Sequence, residues 1–467
     1  MTADKVSEGG AGYPADTLGL EAGEMRRLGY QVVDMVVDRL AGKAGEAAIL
    51  TGRADQLRQA LGGPLPEQPS NAQESLALLA EIALPHQQQG DHPRYFARVP
   101  GPSSFAAVLG EWLGTGFNSM AASWAGGSGP ATIELVVIEW LRQLMGMPEG
   151  TEGVLVSGGS IANLTAFAAA RASHGTGVVY LSDQAHSSLP RALKELGFPP
   201  EHIRILASDE QLKIPLDALL TAIAGDRQAG HKPFMVIGTA GTTNAGTVDP
   251  LPELADICVR ENLWFHIDGA YGAPAALTAS GRDYLRGMER ADSLVLDPHK
   301  WLFQPYDAGC LLIRKGALEH CFNMNPEYLK DVEAGAGEVD FRNRGLELTR
   351  RSRALKLWMS LRTYGVARFR EAIAAGIALA EYAEDYLRQQ PDKWEVVTPA
   401  QIGVVCFALR RGSGEDHKRR ARDLAESGFA CVSSTSLKDR TVLRLCTINP
   451  LTTRDDIRET IDRLNNT

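Results

Sequence analysis

HIDGAYG (266–272) and DPHKW (297–301) decide how this chain is read. Each follows a run of apolar residues, LWF before the first and ADSLVL before the second, so each sits where a buried strand ends and the chain turns. A lysine fixed at such a strand end, inside an apolar pocket, can give up its proton and attack an aldehyde, and Lys300 is the candidate. An acid at the end of another strand can hold a ring nitrogen protonated, and Asp268 is placed for that. The competing reading has Asp268 capping a helix and Lys300 reaching out to solvent.

Working outward, the same alternation recurs. GVLVSGG (153–159) leads into a helix from Ile161, and VVYLSD (178–183) into a helix near Leu189. PFMVIGTAGTT (233–243), LWFHIDGAYG (263–272), ADSLVLD (291–297) and AGCLLIR (308–314) continue the series. Short apolar strands separated by helices predict an α/β fold, a mainly parallel central sheet covered by helices on both faces. Ligands of such a sheet sit at the carboxyl ends of its strands.

The flanks read differently. Leu28, Val32, Met35, Val36 and Leu40 fall at helical spacing and predict a helix over 21–41 with one apolar face that needs cover. Residues 51–90 carry short helical patterns broken by Pro64, Pro66 and Pro69, so 1–90 reads as a helical arm. An amphipathic helix is expected from Arg350 to Tyr364. Beyond it the strands GVVCFAL and TVLRLCTI alternate with helices in a small α+β domain. The expected division is an arm over 1–90, a large α/β domain over 91–355 and a small domain over 356–467.

A chain of 467 residues exceeds one compact unit at the usual ~150 residues per domain. With 44% apolar and 22% charged residues it has the composition of a folded catalyst rather than a disordered chain. A net charge of -9, with no dense basic run, argues against nucleic acid as a partner. The six cysteines are dispersed and make no metal set. No apolar window is long enough to span a bilayer, and the polar first residues MTADKVSEGGAGYPADTLG do not look like a secretion signal, so a cytoplasmic location is expected.

Two further segments carry chemistry. In VLVSGGSIANLTAFAAAR (154–171) a strand enters a Gly-Gly-Ser turn and a helix begins at once. Open N–H groups and the helix dipole make such a turn a phosphate site, with Gly159 allowing close approach and Ser160 adding a hydroxyl. Plain packing is the alternative, and neither GxGxxG nor a P-loop lysine is present. In SDQAHSS (182–188) His186 stands just past another strand, where an imidazole can stack on a flat ligand; a core histidine is the alternative.

Taken together these segments resemble the group II pyridoxal 5'-phosphate (PLP) decarboxylases, closest to their aromatic-L-amino-acid branch. The resemblance spans nearly the whole chain. HPRYFA (92–97), SWAGGSGPATIELVVIEWL (123–141), GTAGTT (238–243), NPEYLKD (325–331) and RRSRALKLWMSLRTYG (350–365) add to it. It implies PLP fold type I, an N-terminal arm wrapped on a partner subunit, and a homodimer with active sites at the interface. It also implies roles. Lys300 resembles the lysine that binds PLP as a Schiff base, Asp268 the partner of the pyridine nitrogen, His186 the residue stacked on the ring and Ala270 the residue beneath it. Thr243 and His299 resemble residues beside the cofactor, Gly159 and Ser160 the phosphate loop, and Tyr328 the residue that returns a proton to Cα. Aldehyde-forming relatives often carry Phe there, so Tyr328 with His186 favours decarboxylation to an amine.

Three departures bear on the substrate and the phosphate. FARVPGPSS (96–104) has Arg98 and Val99 where aromatic-branch members carry aromatic residues, and a cation there suits an acidic side chain. Arg98, Gly101 and Trp124 are the candidate substrate contacts. Ala122 stands where a pocket phenylalanine is common, and Asp297 where some relatives have Asn beside the phosphate. Alternatives to an aromatic substrate are an acidic or other aliphatic amino acid, an aldehyde synthase, and an inactive regulatory homologue.

Overall fold

The computed structural model describes residues 18–323, 335 and 337–466. It divides into two compact units after Gln88. In the first, helix α1 (Ala22–Gly42) has no buried residue. The expected face, Leu28, Val32, Met35, Val36 and Leu40, is only half-buried, and Met25, Tyr30 and Val37 are exposed.

The second unit carries two sheets. Its seven-stranded sheet comprises β1 (Glu152–Val156), β2 (Val178–Ser182), β3 (Ile203–Leu206), β4 (Pro233–Thr239), β5 (Trp264–Asp268), β6 (Ser293–Leu296) and β7 (Gly309–Ile313), in the order β1-β7-β6-β5-β4-β2-β3. β2 through β6 pair in parallel, and β7 runs antiparallel to both its neighbours. A mainly parallel sheet is thus as expected. Its strands are apolar on both faces because helices cover both: β2, β4, β5 and β6 are buried throughout. β3, half-buried at the edge, was not legible in the apolar pattern.

Helix α2 (Trp124–Leu144) precedes β1, and α3 (Gly159–His174) leaves it. A fully buried ion pair locks β1 in place. Arg350 grips Glu134 through two 2.7 Å bonds, and Glu134 accepts the Leu155 amide at 3.0 Å. The expected helix at 350–364 is found as α4 (Ala354–Arg388). It starts later, and it continues because Gly365 adopts φ 69°, which bends the helix without ending it.

The four-stranded antiparallel sheet contains β8 (Trp394–Gln401), β9 (Val404–Leu409), β10 (Ser433–Leu437) and β11 (Arg440–Cys446). It has its own core, in which Trp394, Phe407, Leu443 and Ile461 meet Phe96. HPRYFA therefore docks on this sheet. The Phe96 amide donates to Cys431, and the Cys446 amide donates to the Phe96 carbonyl. Among the described residues no helix is long and apolar enough to cross a membrane.

Candidate active site

Register brings the functional side chains to one edge. Thr239 pairs with Asp268 and Asp268 with Val295, so β4, β5 and β6 end side by side. β1 reaches the same edge across β7, through Val156 opposite Gly309 and Leu296 opposite Cys310. The connections leaving β1, β2, β4, β5 and β6 enclose a cavity of about 340 Å³. Gly159, Ser160, His186, Thr243, Asp268 and Ala270 line it, and Asp297, His299 and Lys300 close it from the β6 side.

At the floor, Asp268 is buried and its Oδ1 accepts the Ala270 amide at 3.0 Å. Burial raises its carboxyl pKa, while that bond and the charges of Lys300 and His186 pull it back. Lys300 Nζ lies 2.9 Å from Asp297 Oδ2. Burial pulls the ammonium down, but Asp297, and Asp268 beyond it, outweigh that and leave Lys300 above its ordinary value. The expectation of an apolar pocket that strips the lysine of its proton is thus corrected: two carboxylates face Lys300, and they hold it charged.

Asp297 is shared with His299. The Ala308 amide donates to His299 Nδ1 at 3.1 Å, which leaves the ring hydrogen on Nε2, 3.5 Å from Asp297 Oδ2. Across the cavity, the Ser188 amide and hydroxyl meet His186 Nδ1 at 3.3 and 2.8 Å. At the β1 end, no side chain caps α3, so its first N–H groups are open to the cavity. The backbone there is tightly packed: a Cβ on Gly309 would stand 2.5 Å from the Gly158 Cα, and one on Gly159 would stand 3.0 Å from Asp297 Oδ2.

Three lining side chains carry buried polar atoms with no hydrogen-bond partner among the described residues: Asn163 Nδ2, Thr239 Oγ1 and Asp297 Oδ1. Leaving such a group unpaired costs about 1–3 kcal/mol, so the cavity is shaped for a polar occupant.

Residues 55–410 match the pyridoxal-dependent decarboxylase conserved domain. The chain belongs to the pyridoxal-dependent decarboxylase family. It is 46% identical to an aromatic-L-amino-acid decarboxylase of Bacillus atrophaeus, over 95% of each chain. The Catharanthus roseus tryptophan decarboxylase solved with L-tryptophan superposes with a TM-score of 0.89 at 30% identity, covering 96% of this chain and 98% of the other. The Oryza sativa TDC solved with PLP and tryptamine superposes at 0.90 with 28% identity and the same coverage.

PLP is the cofactor of this family, and the cavity residues suit it. An amine for its aldehyde, a buried carboxylate for its pyridine nitrogen and an uncapped helix start for its phosphate all face one space.

The candidate substrate contacts are not brought into this lining. Arg98 is exposed at φ 49°, and its carbonyl accepts from Arg444. Trp124 opens α2 and donates its amide to Asp340 at 2.8 Å. Gly101 is linked to the lining through Tyr306, whose hydroxyl fills the space where a Gly101 side chain would be and whose ring packs on His299 at 4.8 Å. Tyr328 lies outside the described residues. Sequence reading missed Asn163, Thr239 and Tyr306. For Asn163 a signal existed, the one side-chain amide in a helix whose middle is mostly apolar.

Proposed function

We propose that the chain decarboxylates an aromatic L-amino acid to its amine and carbon dioxide, working as a cytoplasmic homodimer. The observation that carries the reading is Lys300 facing Asp268 across a cavity at the carboxyl edge of the sheet. The 46% identity to an aromatic-L-amino-acid decarboxylase supports the aromatic side chain. PLP, when bound, supplies an electron sink for the Cα–carboxylate bond.

The protein's part is to hold and orient. Lys300 would hold the cofactor through its amine. Asp268 would keep a proton on the pyridine nitrogen. The α3 start, with Gly159 and Ser160, would take the phosphate, with His186, Ala270, Thr243, His299 and Asp297 around the ring. Tyr328 returns a proton to Cα. Gly101, through Tyr306, belongs to the substrate wall; Arg98 and Trp124 are left out of it.

The test is carbon dioxide release and amine formation by PLP-loaded protein on L-Trp, L-Tyr, L-Phe, L-DOPA, L-His, L-Glu, L-Asp and 2,4-diaminobutyrate. Amine from an aromatic member is expected. Amine from Asp or Glu alone would overturn the aromatic reading and return weight to Arg98. Hydrogen peroxide and ammonia in place of amine would mark an aldehyde synthase. Light scattering checks the dimer.

A further inference from the structure

Trp264, His266 and Asp268 alternate along β5 and so face one side of the sheet. That side is covered by α3, whose Phe167 packs edge-on against His266 at 4.9 Å. Register sets Ser293 beside His266 and Thr239 beside Asp268 on the same face. A buried hydrogen-bond chain runs along it. Trp264 Nε1 donates to Ser293 Oγ at 2.8 Å, Ser293 Oγ lies 2.8 Å from His266 Nδ1, and His266 Nε2 lies 2.8 Å from Asn163 Oδ1.

With the Asn163 carbonyl oxygen turned to His266, Nε2 must carry the ring hydrogen and donate it, so Nδ1 accepts from the Ser293 hydroxyl, whose oxygen takes the Trp264 indole N–H. Burial holds this imidazole neutral, with its pKa pulled down to about 3. Its single hydrogen therefore sits on Nε2 and is donated to the Asn163 carbonyl oxygen. The Asn163 NH₂ is what remains, and it is turned away from His266. Asn163 is 1% exposed, its Nδ2 has no partner, and it lines the cavity.

We propose that Asn163 is a positioning residue for Asp268. The chain from Trp264 leaves the Asn163 amide donor unbonded beside the sheet face that carries Asp268; in the cofactor-loaded enzyme that donor takes the Asp268 carboxylate and holds it toward the pyridine nitrogen. The proposal rests on the PLP reading above. Lys300 and Asp297 face Asp268 from the connection after β6, and His186 from the connection after β2. From β4, Thr239 presents an uncharged hydroxyl, itself unpartnered. Asn163 is the corresponding neutral donor from α3.

Asn163→Leu keeps the branched shape and removes the donor. The absorbance of the PLP-loaded, substrate-free enzyme is followed across the neutral pH range, alongside cofactor affinity and steady-state kinetics. The lysine-bound cofactor band persists in the variant, its pH titration shifts, and kcat falls roughly tenfold with little change in KM. Asn163→Asp, which sets a second acid beside Asp268, loses more. Ser293→Ala breaks the chain at a distance, keeps the fold by thermal denaturation, and moves the same readouts the same way by less. A wild-type titration and kcat in Asn163→Leu overturn the proposal, and a Ser293→Ala enzyme indistinguishable from wild type removes the chain. A wild-type protein that forms no cofactor band overturns the PLP reading instead.

Discussion

Two buried ionic groups serve this molecule differently. Between Glu134 and Arg350 the donors and acceptors are matched. Arg350 meets both carboxylate oxygens and the carbonyls of Ala121 and Leu155, Glu134 takes the Leu155 amide, and the guanidinium lies 5.0 Å over the Phe341 ring. Around Lys300 the matching is incomplete. Asp297 keeps one oxygen unpaired, and Asn163 and Thr239 present unpaired donors to the same space. The saturated pair can only hold β1 to its neighbours. The unsaturated set has free hydrogen-bonding capacity, which suits a polar occupant.

Lys300→Ala has the largest expected effect: it abolishes turnover and the visible absorbance of lysine-bound cofactor. It leaves the unfolding midpoint of the cofactor-free protein close to wild type, as urea unfolding followed by circular dichroism will test. Glu134→Ala does the opposite. It strands the Arg350 charge in the core and costs about 3–5 kcal/mol of stability in the same unfolding measurement. A Glu134→Ala protein of wild-type stability would place this pair with the dispensable ones.

The pH response sharpens the contrast. His266 is neutral in the folded state with a pKa near 3, well below its ordinary 6.5, because it is fully buried. A depressed folded pKa contributes stability that is present above pH 6.5 and is lost as the pH falls toward 3. Cofactor-free wild type is therefore expected to lose up to about 1.4 kcal/mol per pH unit in that window from this residue. His266→Phe removes that slope, and equal slopes in the two proteins would contradict the assignment.

Asp297→Asn takes away the nearest anion that holds Lys300 charged. Stopped-flow mixing with PLP at neutral pH should show faster cofactor capture, because a larger share of the amine is free. Slower capture would mean that Asp297 aids the step. The smallest effect is expected at exposed Arg98. Arg98→Ala should keep kcat/KM on aromatic substrates and change stability by no more than about 0.5 kcal/mol. A large loss of kcat/KM would restore Arg98 to the substrate wall.

Much of this site was legible because its chemistry is local. SGGS, HIDGA and DPHK each place a reactive group just past an apolar run, and a strand end is a position that hydrophobic pattern alone can find. Of the nine residues expected at the cofactor, from Gly159 and Ser160 to Lys300, every one lines the cavity. The substrate residues were less legible, since Arg98 and Trp124 were chosen by their place in a motif and neither lines the cavity.

What the sequence determined by itself was the alternation of buried strands and helices, and with it the residues standing at the carboxyl edge. Their order and spacing are set by covalent chain and hydrophobic period. Tertiary structure decided what depends on register and burial. It paired Ser293 with His266 and so oriented Asn163. It set Asp297 against Lys300, and it seated Phe96 on a sheet built from residues about three hundred or more positions later. Such pairings are properties of distance in the folded chain, and no local pattern encodes them.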